Sequence, residues 1–287
     1  NKKIIYISSF KLRKPEITSE YWKKYKQKIN ENLTLIDNKD FWLNEDAESY
    51  YFVGKDNVPF HAIIWPAMLL AYGDLNLPTN VPANQYILIK GEKASASRGV
   101  GKNLNDYLDE WNPDSLRYAL ASILPEQNDS EISEDEMIRR NNEELVAAWG
   151  NLVQRVFSQY INNFENLEFD FELNDVDKKI INEGNDCFEK TGELIEKVEL
   201  KSSLQSVMGY VNKINAYLNE TEPWKVIKED SSRATAILHT SLTAIEACAS
   251  LLTPFMPTTS EIVKGAIEKN TNNNWSLNDI KKGAPLQ

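Results

Sequence analysis

The most constraining feature of this sequence is a change of pattern part-way along the chain. Short apolar runs typical of β-strands occur before residue 91, as KIIYIS at Lys3–Ser8, YYFVG at Tyr50–Gly54 and YILIK at Tyr86–Lys90. Between the last two runs, Pro59–Tyr72 reads as a helix with a proline at its start, and Thr18 caps another predicted helix that ends at Lys28. The order strand, helix, strand favours parallel pairing, so this part is predicted to be α/β.

After Asn103 the β signal vanishes and the sequence becomes helical. Asn112 and Pro113 are a cap and a first-turn proline for a helix that is predicted to end at Ile123. Further helices are predicted at residues 133–164, 175–196, 200–219, 231–252 and 259–268, and they form an antiparallel bundle. The polar segment PEQNDS begins at Pro125, so the predicted domains are residues 1–125 and 126–287.

Composition narrows the class of protein. The net charge of −11 argues against a general nucleic-acid binder such as a DNA-binding protein, because phosphate contacts need lysine and arginine. A specific RNA binder remains open, since its positive charge can be local. No membrane helix is predicted, because no apolar run reaches the length of about 20 residues that such a helix needs. Cys187 and Cys248 are predicted to be reduced core thiols without a metal, which favours a cytoplasmic location.

Five segments resemble methionyl-tRNA synthetases, in the same order and at compatible spacing. They are YFVGKDNVPFHAIIWPAMLL at Tyr51–Leu70, KGEKASASRG at Lys90–Gly99, WNPDSLRYAL at Trp111–Leu120, GNLVQRV at Gly150–Val156 and EPWKVIK at Glu222–Lys228. The resemblance implies a class I synthetase: part of a Rossmann-type catalytic domain, then an antiparallel helical bundle that binds the anticodon. The family's HIGH motif and zinc-bearing insertion are expected to precede this chain.

The first segment places polar groups after a strand, at the edge where parallel sheets bind ligands. By resemblance, His61 and Trp65 help to form the pocket for L-methionine, and Asp56 lies near the activated substrate. An aromatic wall suits a flexible thioether. The alternative for His61 is a partly buried helix residue with a local hydrogen bond.

The second segment aligns with the family's KMSKS loop, whose cations stabilise the phosphates of ATP, bound with Mg²⁺, during methionine activation. Lys93, Ser95, Ser97 and Arg98 match this motif. Ala94 and Ala96 do not, and Ala96 replaces the second lysine; loss of one such charge costs a factor of about 100 to 1,000 in rate. The alternative reading is a solvated hairpin, and whether the alanines are natural stays open.

The beginning of the chain departs from the family as well. Tyr6–Ser9 resembles the stretch that follows the family's VWFDA segment, but Asn1–Ile5 supplies neither its aromatic nor its acidic groups. With the altered loop, this departure predicts that the chain alone does not activate methionine and needs an amino-terminal half.

The anticodon segments match better. Asn151 and Arg155 are one helical turn apart, so they share one helix face, and Trp224 follows Pro223 at the start of a short helix. The resemblance implies that Asn151, Arg155 and Trp224 contact the CAU anticodon of methionine tRNA. Proteins read splayed RNA bases by stacking them on aromatic rings and hydrogen-bonding their edges. Ordinary polar helix positions and a tryptophan staple between helices are the alternative.

Three hypotheses therefore remain. The chain is part of a methionine–tRNA ligase, a non-catalytic relative or subunit that binds tRNA or a protein partner, or a degenerate scaffold without RNA affinity. Collinear similarity over both domains motivates the first hypothesis, the two alanines and the missing VWFDA segment motivate the second, and the anticodon residues argue against the third.

Overall fold

The computed structural model describes residues 42–95, 98–267, 275–278 and 280–286 and the backbone of Ile4–Tyr6. The chain divides into two compact units. Unit 1 contains residues 1–86 and 125–129, and unit 2 contains residues 87–124 and 130–287. The helix predicted from Thr18 to Lys28 lies outside the described residues, and the predicted domain boundary after residue 125 stays a prediction.

Unit 1 contains two pairs of short parallel strands. β1 (Ile4–Tyr6) pairs with β2 (Ser49–Tyr51), and β3 (Val53–Gly54) pairs with β4 (Ala83–Asn84). The predicted parallel arrangement is confirmed, but the partner of β3 precedes the predicted strand. Backbone ladders do not require apolar side chains, and the N–H of Tyr86 donates instead to the carboxylate of Asp129 at 2.8 Å.

The predicted helix of unit 1 is confirmed in two pieces. A π-helical turn, Phe60–Ile64, runs directly into α1 (Trp65–Tyr72). Pro66 has no N–H to donate to the carbonyl one turn earlier, so the regular α ladder cannot extend back through it. Large apolar side chains of this helix remain exposed: Phe60, Ile63, Ile64, Met68, Leu70 and Tyr72. A helix that is apolar all round is normally covered by other elements.

Unit 2 begins with a three-stranded sheet. β5 (Ile87–Ile89) is the central strand, β6 (Glu92–Lys93) pairs with it antiparallel, and β7 (Ser130–Glu131) pairs with it parallel. Lys90 and Gly91 both have positive φ, at 52° and 77°, as tight hairpin turns require. The prediction that β structure ends by Asn103 was wrong, because β7 lies after that residue. β7 is a polar strand that pairs with β5 through backbone hydrogen bonds.

The remainder of unit 2 is helical. Its helices are α2 (Leu104–Glu110), α3 (Pro113–Ser122), α4 (Glu134–Arg140), α5 (Asn151–Asn163), α6 (Asp175–Glu196), α7 (Leu200–Thr221), α8 (Pro223–Val226), α9 (Ser231–Leu252) and α10 (Pro257–Ile267). A π-helical segment, Asn141–Gly150, joins α4 to α5. The predicted bundle is confirmed, whereas α2 was not predicted.

α9 is the central helix of the bundle. It is long and apolar enough to cross a membrane by length and composition, but 94% of its most apolar window is buried inside the structure. Ile245, Ala247 and Cys248 have no exposed surface. Packing on all sides therefore accounts for its apolar character.

Both cysteines are free and buried, as predicted. Burial raises the pKa of the Cys187 thiol above its ordinary value, and it raises that of Cys248 further. Both sulfur atoms are therefore protonated core groups at neutral pH.

Polar contacts connect the helices of unit 2. The buried carboxylate of Asp114 accepts from the N–H of Thr259 at 2.6 Å, and Arg117 donates to the carbonyls of Pro254 and Phe255. Tyr118 is fully buried. Trp275 packs edge-on against Phe188.

Candidate functional site

Two residues of one candidate site lie on helices that are far apart in sequence. Arg155 lies on α5, and Trp224 is the second residue of α8. In the folded bundle the guanidinium carbon of Arg155 lies over the indole of Trp224, 5.2 Å from the ring centroid. Both side chains are half-buried, so an amphipathic surface of cation and aromatic ring faces solvent.

A third residue, which the sequence did not indicate, holds the arginine. Nη2 of Arg155 donates to Oδ1 of Asn219 on α7 at 2.9 Å. Asn219 is exposed, and its contact with Arg155 crosses between two helices. We call Arg155, Asn219 and Trp224 the platform. No local pattern marks Asn219, because an asparagine on a solvated helix face is common.

The backbone around Trp224 is tightly constrained. Glu222 ends α7 in the left-handed region, with φ of 42° and ψ of 58°, and Pro223 opens α8 while buried. The carbonyl of Glu222 accepts from the N–H groups of Lys225 and Val226. Its carboxylate also pairs with Lys225 at 2.7 Å. The predicted short helix at Trp224 is confirmed, and its direction is determined by this corner.

Asn151 lies on α5 one turn before Arg155, as predicted, but it lines a cavity to which Arg155 and Trp224 do not contribute. It is exposed and lines a cavity of about 720 Å³ with Trp149, Val153, Gln154 and Met256. The π-helical segment ends directly before it, and Asn215 on α7 donates to the carbonyl of Ala148 in that segment at 3.2 Å. π-Helical insertions often occur at functional positions.

The residues predicted for methionine and adenylate lie in unit 1. Asp56 accepts a short hydrogen bond from the hydroxyl of Tyr86. Nδ1 of His61 lies 3.0 Å from the carbonyl of Asn57, and its ring lies 6.1 Å from that of Tyr51. The local hydrogen bond considered for His61 is therefore present.

Trp65 borders an open cavity of about 630 Å³ in unit 1. Its ring packs edge-on against Trp42 at 6.0 Å, and Leu69 and Tyr72 complete one side. Within the described part of the chain, the buried indole N–H of Trp65 has no hydrogen-bond partner. Buried donors usually have partners, so this N–H is a candidate contact for a ligand.

The KASAS loop belongs to unit 2. Lys93 ends β6, and reciprocal backbone hydrogen bonds of 3.0 Å join Ser95 and Val100. Arg98 is exposed, whereas Ala96 and Ser97 lie outside the described residues. After the loop, Lys102 pairs with Glu110 at 2.9 Å and with Glu134. The hydrogen bonds that Lys102 donates to Glu134 and Glu110 raise its pKa, so Lys102 is charged and already paired within the protein.

Comparisons with known proteins agree with both units. The family described as tRNA synthetases class I (M) matches residues 4–157, and the anticodon binding domain of methionyl tRNA ligase matches residues 171–284. The chain belongs to the methionyl-tRNA synthetase family. The predicted fold class, a class I catalytic part followed by a helical anticodon-binding domain, is thereby confirmed.

Individual relatives show how much of a synthetase the chain matches. It is 39% identical to methionine–tRNA ligases of Chloroflexus aggregans and Thermobifida fusca, over 78% of this chain in each case. The chain spans about 40% of the length of these relatives. A methionyl-tRNA synthetase of Mycobacterium tuberculosis bound to methionyl-adenylate shares the fold, with a TM-score of 0.76 and 21% identity over 88% of this chain and 52% of that one.

Proposed function

We propose that this chain is part of a methionine–tRNA ligase and that it reads the CAU anticodon of methionine tRNA. The observation that carries the proposal is the platform: a cation lies over a half-buried indole, and an amide on a neighbouring helix orients that cation. Stacking of a splayed base on an aromatic ring contributes about 1–3 kcal/mol, and arginine can hydrogen-bond a base edge. Asn151, one turn away on α5, is proposed to contact the same anticodon.

Binding of tRNA is tested by titrating the chain with methionine tRNA and with the same tRNA carrying one changed anticodon base. We expect the change to weaken binding by about 1–3 kcal/mol per lost contact. Trp224→Ala should remove this difference, whereas Trp275→Phe, at a distant position on the bundle, should keep it. Equal, weak binding of both RNAs by the unmodified chain would refute anticodon reading.

We propose further that the chain contributes the KMSKS side of methionine activation, with ATP, Mg²⁺ and L-methionine as substrates of the complete enzyme. Lys93 and Arg98 supply cations for the phosphates, and Ser95 and Ser97 complete the loop. Asp56, His61 and Trp65 serve the methionine and adenylate side, where the indole N–H of Trp65, which has no hydrogen-bond partner among the described residues, is an available donor. Ala96 supplies no charge, so activation is expected to be slow.

An amino-terminal half of the catalytic domain is the partner proposed for unit 1. The exposed apolar side chains of the Phe60–Tyr72 helix favour a covering element, because burial of such surface stabilises by about 25 cal/mol per Å². The experiment mixes this chain with the amino-terminal part of the Chloroflexus aggregans relative and measures methionine-dependent pyrophosphate exchange. The mixture should be active and either part alone inactive.

The alternative function is that of a non-catalytic relative that binds tRNA or a protein. Ala94 and Ala96 favour it, because the loop lacks a cation. In the complemented assay, Ala96→Lys combined with Ala94→Met should raise exchange about 100-fold or more if the missing charge limits the rate. Normal exchange without these changes would exclude the alternative. The free, buried cysteines fit a cytoplasmic protein in either case.

A further inference from the structure

A buried carboxylate joins the two ends of the segment that carries the platform's tryptophan and asparagine. The segment, residues 218–232, contains Asn219 and Trp224. Directly before it, the hydroxyl of Tyr217 on α7 donates to Oδ1 of Asp177 at 2.5 Å. Directly after it, Arg233 on α9 donates to Oδ1 at 2.9 Å and to Oδ2 at 2.5 Å. We call Asp177, Tyr217 and Arg233 the clamp.

Asp177 is itself held firmly in place. It has no exposed surface and lies in the first turn of α6, where its Oδ2 accepts from the N–H of Asn174 at 3.0 Å. The side chain of Asn174 accepts in return from the N–H of Asp177, which completes a capping box. Burial raises the pKa of Asp177, but the hydrogen bonds from Arg233 and Tyr217 outweigh burial and leave it below its ordinary value. The carboxylate is therefore an anion with a fixed position.

The clamp has a geometric consequence for the platform. It holds the last turns of α7 and the first turn of α9 against one point on α6, so the ends of the connecting segment have a fixed separation. Inside the segment, the hydroxyl of Thr221 donates to the carbonyl of Tyr217 at 2.7 Å, and Glu222 and Pro223 form the rigid corner. The direction of the Trp224 ring thus depends on where α7 ends relative to α9.

Stability alone does not explain a buried ion pair. An apolar group of similar volume often stabilises as well as a buried salt bridge, and the best-supported role of buried charges is to specify one geometry. Arg233 is bidentate and its side chain is only 25% exposed, so the pair allows one relative placement of α6 and α9.

We propose that Asp177 is a positioning residue that sets Trp224 against Arg155 for anticodon discrimination. The proposal rests on the proposed function of the platform. Asp177 does not touch the RNA; it acts through the segment whose ends it holds.

The test compares two variants with a control of similar stability. Asp177→Asn leaves Arg233 unpaired, and the double variant Asp177→Asn with Arg233→Gln removes both charges. Phe188→Leu, on α6 away from the clamp, lowers stability without altering these contacts. Anticodon discrimination is measured as the ratio of dissociation constants for changed and cognate tRNA, well below the melting temperature of every protein. The indole N–H resonance of Trp224, assigned by its loss in Trp224→Phe, is recorded without RNA.

Both clamp variants should lose about 5-fold or more in discrimination, while binding of the changed tRNA stays constant. The Trp224 resonance should shift in both, and Phe188→Leu should alter neither readout. An unchanged ratio and an unchanged resonance in the double variant would overturn the positioning role. If the unmodified chain does not discriminate, the proposed function fails, and the resonance still decides whether the clamp positions Trp224.

Discussion

Arg155→Ala tests whether the cation of the platform reads a base or binds a phosphate. In the free protein, Arg155 has two contacts that RNA binding must exchange: the ring of Trp224 at 5.2 Å and Oδ1 of Asn219 at 2.9 Å. A cation–π contact at an exposed site contributes about 0.5–1 kcal/mol. A bidentate base contact contributes about 1–3 kcal/mol of discrimination.

The net loss follows from these two values. Because bound and free contacts offset each other in part, we expect Arg155→Ala to weaken cognate binding by about 1–2 kcal/mol, or roughly 5- to 30-fold. Binding to tRNA with a changed base opposite Arg155 should weaken much less. The slope of log affinity against log salt concentration should not change if Arg155 reads a base edge, whereas loss of a phosphate contact lowers the steepness of this slope by about one.

The assay is an equilibrium titration with fluorescent tRNA at three salt concentrations. Lys213→Ala is the matched control, because Lys213 is an exposed cation of the same bundle that pairs with Glu183 instead of the platform. Double-mutant analysis with Trp224→Ala measures the coupling between the two side chains. Equal weakening on both tRNAs, together with a slope lowered by one, would refute base reading by Arg155.

Three further predictions concern stability, measured by urea unfolding. Burial raises the pKa of Glu246 above its ordinary value of 4.5, so the stability that its protonated form contributes is lost as pH rises above that value. Glu246→Gln should therefore gain stability relative to the unmodified chain as pH rises from acidic to neutral, and parallel pH profiles would contradict this. The pKa of Asp177 is lowered, so its stabilising contribution is present above about pH 4 and is lost at lower pH. The loss of stability caused by Asp177→Asn should therefore become smaller on acidification. A loss that stays constant with pH would argue against an ionised clamp. Ile245→Ala, at a fully buried position of α9, should cost about 2–5 kcal/mol, whereas Ile262→Ala at an exposed position of α10 should cost little.

The helical part of the fold could be predicted because its signals are local. α6 begins after the cap Asn174 and α9 after the cap Asp230, and the predicted bounds of both helices were confirmed. Capping groups and apolar periodicity act within one turn, so the sequence expresses them directly. The short strand β7 is polar and carries no apolar pattern, and it was missed. Helix α2 was also missed, although Asn103 and Asp106 form a capping box at its start.

The site divides in the same way. Residue identities, their spacing on α5 and the proline before Trp224 predicted Arg155, Asn151 and Trp224 as candidates, because these are properties of one turn of chain. Only the tertiary structure places Arg155 over Trp224 and brings Asn219 within hydrogen-bond distance of Arg155. It also brings Asp177 to the end of the helix that carries Asn219. Contacts between helices depend on crossing geometry and on the packing of the whole bundle, which no short stretch of sequence determines.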